Sequence, residues 1–239
     1  MRRGVFILVT SFGAANLRAQ VGYDPQHSPY RDLRETQEVT FFSGYFRAKK
    51  DPVQVAPRSG PLVGTHYQWR AGGPANLTFS FGRVASERRV LDPEKTCGTP
   101  PPADCKLIGV FRWPVYLVDG GLSLSLTGAR SFFHLVPEIK SGMGIATDFH
   151  TKADVGDFAF GTRFAFIWGA GMRWVPGGRN RYQLRADFLN HLYSVRYPIS
   201  YYTKDDLGNT ILAQSDSRSR SHWLNNPSLT FGVSYLFSR

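Results

Sequence analysis

The chain of 239 residues is 42% hydrophobic and 20% charged, with a mean hydropathy of −0.27; beyond its first segment it has no apolar run long enough for a helical span, which excludes a polytopic helical membrane protein. Its 18 Phe, 11 Tyr, 5 Trp, 24 Gly and 15 Pro suit a strand-and-turn protein and exclude a solvated, disordered polymer. The formal charge is +11, yet no RNA-binding, helix-turn-helix or zinc-finger pattern accompanies it, so nucleic acid is not an expected partner.

Residues 1–19 have the layout of a secretory signal peptide: Met1-Arg2-Arg3-Gly4, a moderately apolar stretch from Val5 to Leu17, then Arg18-Ala19-Gln20, with cleavage expected after Ala19 or at a neighbouring position. A buried N-terminal strand or helix is the competing reading. Removing the signal takes away Arg2, Arg3 and Arg18, leaving 26 basic against 18 acidic residues, a net +8. On an exported chain, attraction to anionic lipid headgroups is the simplest use of that charge. Residues 20–36 are polar and irregular, either a tail or a strap across one mouth of a barrel.

From about residue 37 the sequence alternates with period two. A less tidy segment at 38–47 comes first, then 61–70, with Thr65, Tyr67 and Trp69 against Gly64, His66, Gln68 and Arg70. Leu77, Phe79 and Phe81 oppose Thr78, Ser80 and Gly82. Between this strand and the next, Cys97 and Cys105 bracket Gly98-Thr99-Pro100-Pro101-Pro102-Ala103-Asp104, which in an oxidising compartment reads as one loop disulfide rather than two free thiols. A zinc site would need two more ligands nearby, and none is there. Tyr116, Val118, Leu122, Leu124 and Leu126 oppose Asp119, Gly121, Ser123, Ser125 and Thr127. Leu135, Ile139, Met143 and Ile145 oppose Val136, Glu138, Lys140, Gly142 and Gly144. Phe158, Phe160, Phe164, Phe166, Trp168, Met172 and Trp174 oppose Gly161, Arg163, Gly169, Gly171 and Arg173. Tyr182, Leu184, Phe188 and Leu192 oppose Gln183, Arg185, Asp187 and His191. The last strand sets Leu229, Phe231, Val233, Tyr235 and Phe237 against Thr230, Gly232 and Ser234. The total is eight strands. Short connections near 71–75, 128–133 and 175–181 alternate with long ones at about 48–61, 85–114, 147–157 and 196–226, as an up-and-down meander requires.

Alternation is equally compatible with an apolar interior and an apolar exterior; volume separates them. An eight-stranded barrel is only wide enough inside for side chains of modest size, and the Phe, Trp and Leu of one parity cannot all fit there. The expectation is therefore an apolar face toward lipid and a lumen of Gly, Ser and paired charges: Asp119, Glu138, Lys140, Arg163, Arg173, Arg185 and Asp187. Trp69, Trp174, Tyr182, Tyr235 and Phe237 then fall near one rim, and Trp113, Tyr116, Phe158 and Tyr193 near the other, as two aromatic girdles. A soluble lipocalin-like binder fails the same volume argument.

The final strand, Thr230-Phe231-Gly232-Val233-Ser234-Tyr235-Leu236-Phe237, is similar to the assembly signal of small eight-stranded outer-membrane β-barrels of Gram-negative bacteria, the family of the OmpA transmembrane domain and OmpX. Thr230, Gly232, Tyr235 and Phe237 occupy its key positions, and Ser238-Arg239 after the last aromatic departs from the commonest form. The resemblance covers about residues 37–239 and implies an all-β, eight-stranded antiparallel up-and-down transmembrane barrel, inserted by the outer-membrane assembly machinery. The expected partners are outer-membrane lipids and lipopolysaccharide, and the expected state is a monomer without a cofactor.

The lumen charges read first as an ion-pair network that fills the barrel, ahead of a conducting or catalytic role. The expected function is a structural or interaction barrel whose loops, notably 97–105 and 196–226, face the exterior. The alternative is an outer-membrane lipid-modifying enzyme of the lipid A deacylase kind, for which His191 with Ser194 and Asp187, or His222 with Ser219 and Ser221, are the parts to weigh. Spacing disfavours it: His66, His134, His150 and His191 all lack the Ser two positions later that those deacylases carry. No Gly-x-Ser-x-Gly, P-loop or His-Glu-x-x-His pattern occurs.

Overall fold

In the computed structural model, which describes residues 28–33, 36–98, 105–150, 152–176, 181–203, 211 and 221–237, the alternating segments become strands. They are β1 (Tyr30–Asp32), β2 (Gln37–Phe46), β3 (Gly60–Gly72), β4 (Ala75–Val84), β5 (Glu87–Leu91), β6 (Leu107–Arg112), β7 (Val115–Ser125), β8 (Arg130–Phe132), β9 (Leu135–Thr147), β10 (Thr162–Trp174), β11 (Tyr182–Arg196) and β12 (Ser221–Phe237). The expected signal peptide lies outside the described residues.

The wall runs β9-β10-β11-β12-β2-β3-β4-β7, and β7 pairs back onto β9. All of these pairings are antiparallel. The result is a closed, eight-stranded up-and-down barrel whose wall presents no unpaired edge. At one end the turns are short. Gly73 (φ +54°) supplies the left-handed backbone that the tight β3–β4 turn needs. Residues 47–59, the β5–β6 hairpin, 152–161 and 197–203 project from the other end.

Two segments differ from the sequence reading. The stretch 85–114, expected to be loop, contains the hairpin β5–β6. The last strand begins at Ser221 rather than near 229, because the polar run Asn225-Asn226-Pro227-Ser228 is held by β11 on one side while the Pro227 carbonyl accepts the Arg47 amide on the other. Pairing from both flanks overrides the turn-like composition.

The large apolar side chains of the alternating parity face outward: Phe41 is 68% exposed and Phe231 61%. The opposite parity is buried, with Glu138 1% and Arg185 3% exposed. Glycine makes the interior pack: a Cβ at Gly64 would lie 2.6 Å from the ring of inward-facing Phe42, and one at Gly82 would lie 3.0 Å from Leu62.

The interior has two zones. The end with short turns holds the charges. The end with long loops is apolar, built from Phe46, Leu62, Val84, Val115, Leu117, Ala146, Ala165, Tyr193, Val195 and Leu224, and continuous with loop residues Val53, Val55, Phe158, Phe160, Tyr197 and Tyr201. Phe158 and Tyr193, expected in a girdle, are therefore buried in this cap, each 1% exposed. Gly161 (φ +62°) breaks the chain just before β10, so the outward parity of Phe164 and Phe166 does not extend back to Phe158 and Phe160.

Candidate functional site

The ionic zone collects side chains from β2, β3, β7, β9, β10 and β11 around Arg185. Its guanidinium donates Nε to Asp187 Oδ2 at 2.7 Å, and Nη2 to Glu138 Oε2 at 2.8 Å and Gln68 Oε1 at 2.9 Å; Nη1 pairs with Glu38. Arg173 bridges the same two glutamates, Nη1 to Glu38 Oε2 at 3.0 Å and Nε to Glu138 Oε1 at 2.8 Å. Lys140 Nζ donates to Asp187 Oδ1 at 2.6 Å, and Gln68 Nε2 to Glu138 Oε1 at 3.0 Å. Three carboxylates meet three cations, so the buried charge is balanced. Gly171 leaves the room: a Cβ there would lie 3.1 Å from Lys140 Cε and overlap the Asp187 carboxylate.

The structure thus brings together Glu138, Lys140, Arg173, Arg185 and Asp187, and adds Glu38 and Gln68, which the sequence reading did not single out. Asp119 and Arg163 stand apart. Asp119 Oδ2 accepts from Ser80 Oγ at 3.2 Å and lies 3.1 Å from His191 Nε2, between the ionic and apolar zones. Arg163 Nη2 donates to the Ala159 carbonyl at 3.0 Å near the long loops. Cavities at this middle level, beside His66, Asp119 and Lys140 and beside His191 and Asp187, measure only ≈ 30 and ≈ 20 Å³, room for single waters.

Of the hydrolase candidates, His191 and Ser194 are not brought together, and Ser219 lies outside the described residues. His191 is buried in the lumen beside Phe46, whereas Ser194, three residues on, lies on the opposite face of β11. His222 packs its ring 5.3 Å from Tyr197 in the cap. Among the described residues no group of His, Cys, Asp and Glu is arranged to hold a metal ion.

At the rim with short turns Trp69, Trp174, Tyr182 and Tyr235 are exposed, with Tyr182 and Tyr235 5.5 Å apart between ring centres. Phe237 lies 6.5 Å from Tyr67 on the same rim. Thr230 and Gly232 face inward; Thr230 is buried, and a Cβ at Gly232 would crowd Thr40. At the far rim Tyr116 stacks on Phe81 at 6.1 Å. Trp113 does not face outward with it. Its indole donates to Asp148 Oδ2 at 2.6 Å, and Arg88 lies 4.5 Å above its ring.

Arg88 is the hub of the cap, paired with Asp154 and 5.2 Å from the Phe158 ring. Burial lowers its pKa, and the field of Asp148 opposes the shift. Burial also raises two phenols: Tyr201 to about 12, and Tyr197 further still, its hydroxyl donating to Asp51 Oδ2 at 2.5 Å. Cys97 and Cys105 form the disulfide that ties the β5–β6 hairpin.

The opposite mouth is crossed by the segment before β2. β1 pairs with β8, at the β7–β9 side of the wall. Leu33 then lies buried over the ionic zone, its amide donating to the Ala129 carbonyl and its carbonyl accepting from Arg70 Nη1 at 2.7 Å.

No protein-family model matches the chain, and no curated protein is similar to it in sequence. Among solved structures it is similar to Neisserial surface protein A, with TM-score 0.48 and 11% identity over 84% of this chain and 97% of that one. It is also similar to the outer membrane protein OprG from Pseudomonas aeruginosa, with TM-score 0.45 and 10% identity over 86% and 98%. The N-terminal β-barrel domain of Pseudomonas aeruginosa OprF gives TM-score 0.40 and 11% identity over 83% and 97%.

Proposed function

We propose that the protein is a monomeric integral β-barrel of the bacterial outer membrane, exported through the periplasm and inserted by the barrel assembly machinery. In this reading it is an anchor without a wide pore, its capped loop end facing the exterior. One observation carries it: the closed wall turns Phe, Trp and Leu outward and encloses a balanced set of buried ions. In water that arrangement would expose a continuous apolar belt; in a bilayer the belt meets acyl chains, and closure leaves no backbone group unpaired in hydrocarbon. The aromatic rim at the short-turn end, the leader-like N-terminus and the final strand support the same address. The narrow interior and the apolar cap argue against conduction, and the separation of His191 from Ser194 argues against hydrolysis of lipid.

Two single-tryptophan proteins test the assignment. With Trp168 as the only tryptophan, brominated acyl chains are expected to quench most of its emission. With Trp113 alone, half-buried in the cap with Arg88 over its ring, quenching is expected to be slight. A heat-modifiable gel band certifies that each variant is folded. Equal quenching of the two, or none for Trp168, would overturn the reading.

A further inference from the structure

One cavity lies outside the barrel. It is a cleft of ≈ 750 Å³ between residues 47–59 and the wall at Asn225 and Pro227, lined by Arg47, Lys49, Lys50 and Arg58. Among the described residues none of these four cations has an acidic partner within ion-pair distance. The one carboxylate in the lining, Asp51, is committed elsewhere: it accepts the amides of Val55 and Ala56, both at 3.2 Å, and the Tyr197 hydroxyl. The cleft floor is fixed. The Arg47 amide donates to the Pro227 carbonyl at 2.8 Å, the Lys49 amide to Asn226 Oδ1 at 3.0 Å and the Ala48 amide to Ser59 Oγ at 2.9 Å. Val53 and Val55 root the loop in the cap.

Its height is set by the strand. Ten residues of β12 separate Asn225 from the rim residue Tyr235; at a rise of about 3.4 Å and a tilt of about 35–45° that is about 24–28 Å, the height of the apolar band of such barrels. Exposed Tyr45 and Leu229, paired across β2 and β12, lie directly below on the same outward face. Four uncompensated cations thus sit where acyl chains end and headgroups begin.

We propose that this cleft binds the phosphorylated headgroup of an outer-leaflet glycolipid, its phosphates on Arg47, Lys49, Lys50 and Arg58 and its acyl chains along Tyr45 and Leu229. The assignment rests on the outer-membrane reading above. The test uses the full chain in nanodiscs of zwitterionic phospholipid doped with bisphosphorylated lipid A, with bound lipid counted by native mass spectrometry. The triple variant Arg47→Gln, Lys49→Gln, Lys50→Gln is expected to lose at least tenfold in apparent affinity. A charge-matched control, Lys95→Gln, Arg112→Gln, Lys152→Gln, is expected to change less than twofold. Equal losses in the two triples would reduce the effect to net charge and overturn the site, as would wild-type affinity in the first. Displacement by millimolar inorganic phosphate, with no preference for the lipid over the free ion, would overturn the lipid assignment. A protein that fails to enter the nanodisc and shows no heat-modifiable band would instead sink the membrane reading beneath it.

Discussion

Replacing Arg185 with Met removes the one cation that touches all three carboxylates of the ionic zone, together with the Gln68 contact. Glu38, Glu138 and Asp187 then face only Arg173 and Lys140, leaving a net negative charge sealed between the wall and Leu33. Summing the lost charge-assisted bonds at about 1.5–3 kcal/mol each would overstate the damage, because the orphaned carboxylates can protonate or recruit water. Truncating one partner of a buried pair costs about 3–5 kcal/mol, and we expect Arg185→Met to lose about 4 kcal/mol, roughly a thousandfold in the folding equilibrium. Glu138→Gln, which takes one of two carboxylate partners from Arg173 and one of three from Arg185, should cost about 3 kcal/mol by the same reasoning. The double variant restores charge equality and should recover about 2 kcal/mol relative to the sum of the singles. Urea unfolding in liposomes, followed by tryptophan emission and the gel-mobility shift, measures all three. If Arg185→Met stayed within about 0.5 kcal/mol of the parent, or if the two changes simply added, the network would not be the coupled unit its geometry describes.

The lipid-facing assignment makes Phe231→Arg costly by about 2–4 kcal/mol, since residue 231 sits near mid-height of the band, while Phe231→Leu should cost less than about 1.5 kcal/mol; equal effects in the liposome assay would place that face elsewhere. The cap has an alkaline limit. Tyr201 holds its proton up to about 12 in the fold against about 10 when unfolded, so the stability it contributes is intact below about pH 10 and drains away as pH climbs through about 12. Tyr201→Phe should flatten that fall in a proteolysis-monitored pH series, and an unchanged slope would remove Tyr201 from the account. Reducing Cys97–Cys105 reopens a short loop worth about 2.5 kcal/mol in the chain-entropy treatment. Faster proteolysis confined to the β5–β6 hairpin, with the barrel's gel shift intact, is the expected outcome; loss of the shift would show the hairpin to be needed by the wall.

Period-two patterning located the wall strands because each crosses between two chemically different media, and volume decided which medium lay inside. What it missed depends on contacts between strands distant in sequence. Glu38 escaped notice because β2 shows aromatics on both faces, and inward Phe42 makes sense only beside Gly64 of β3. The cap was hidden for a related reason. At the loop ends of the strands both parities turn apolar, as in Val115-Tyr116-Leu117-Val118, so alternation fades where the interior changes character. Arg88 lay in a stretch whose Pro and Gly content favours loops, and its partner Asp154 is remote in the chain. The cationic cleft was visible only as composition; its position above Tyr45 and Leu229 needed the register of β2 against β12.

Because Tyr30–Asp32 is zipped to β8, across the opening from β2, the chain enters the described structure beneath the far side of the ring and not beside the joint where first and last strands meet. That joint is moored twice, along its length by β12 and crosswise by a cable that must stretch or unzip whenever the ring is prised apart.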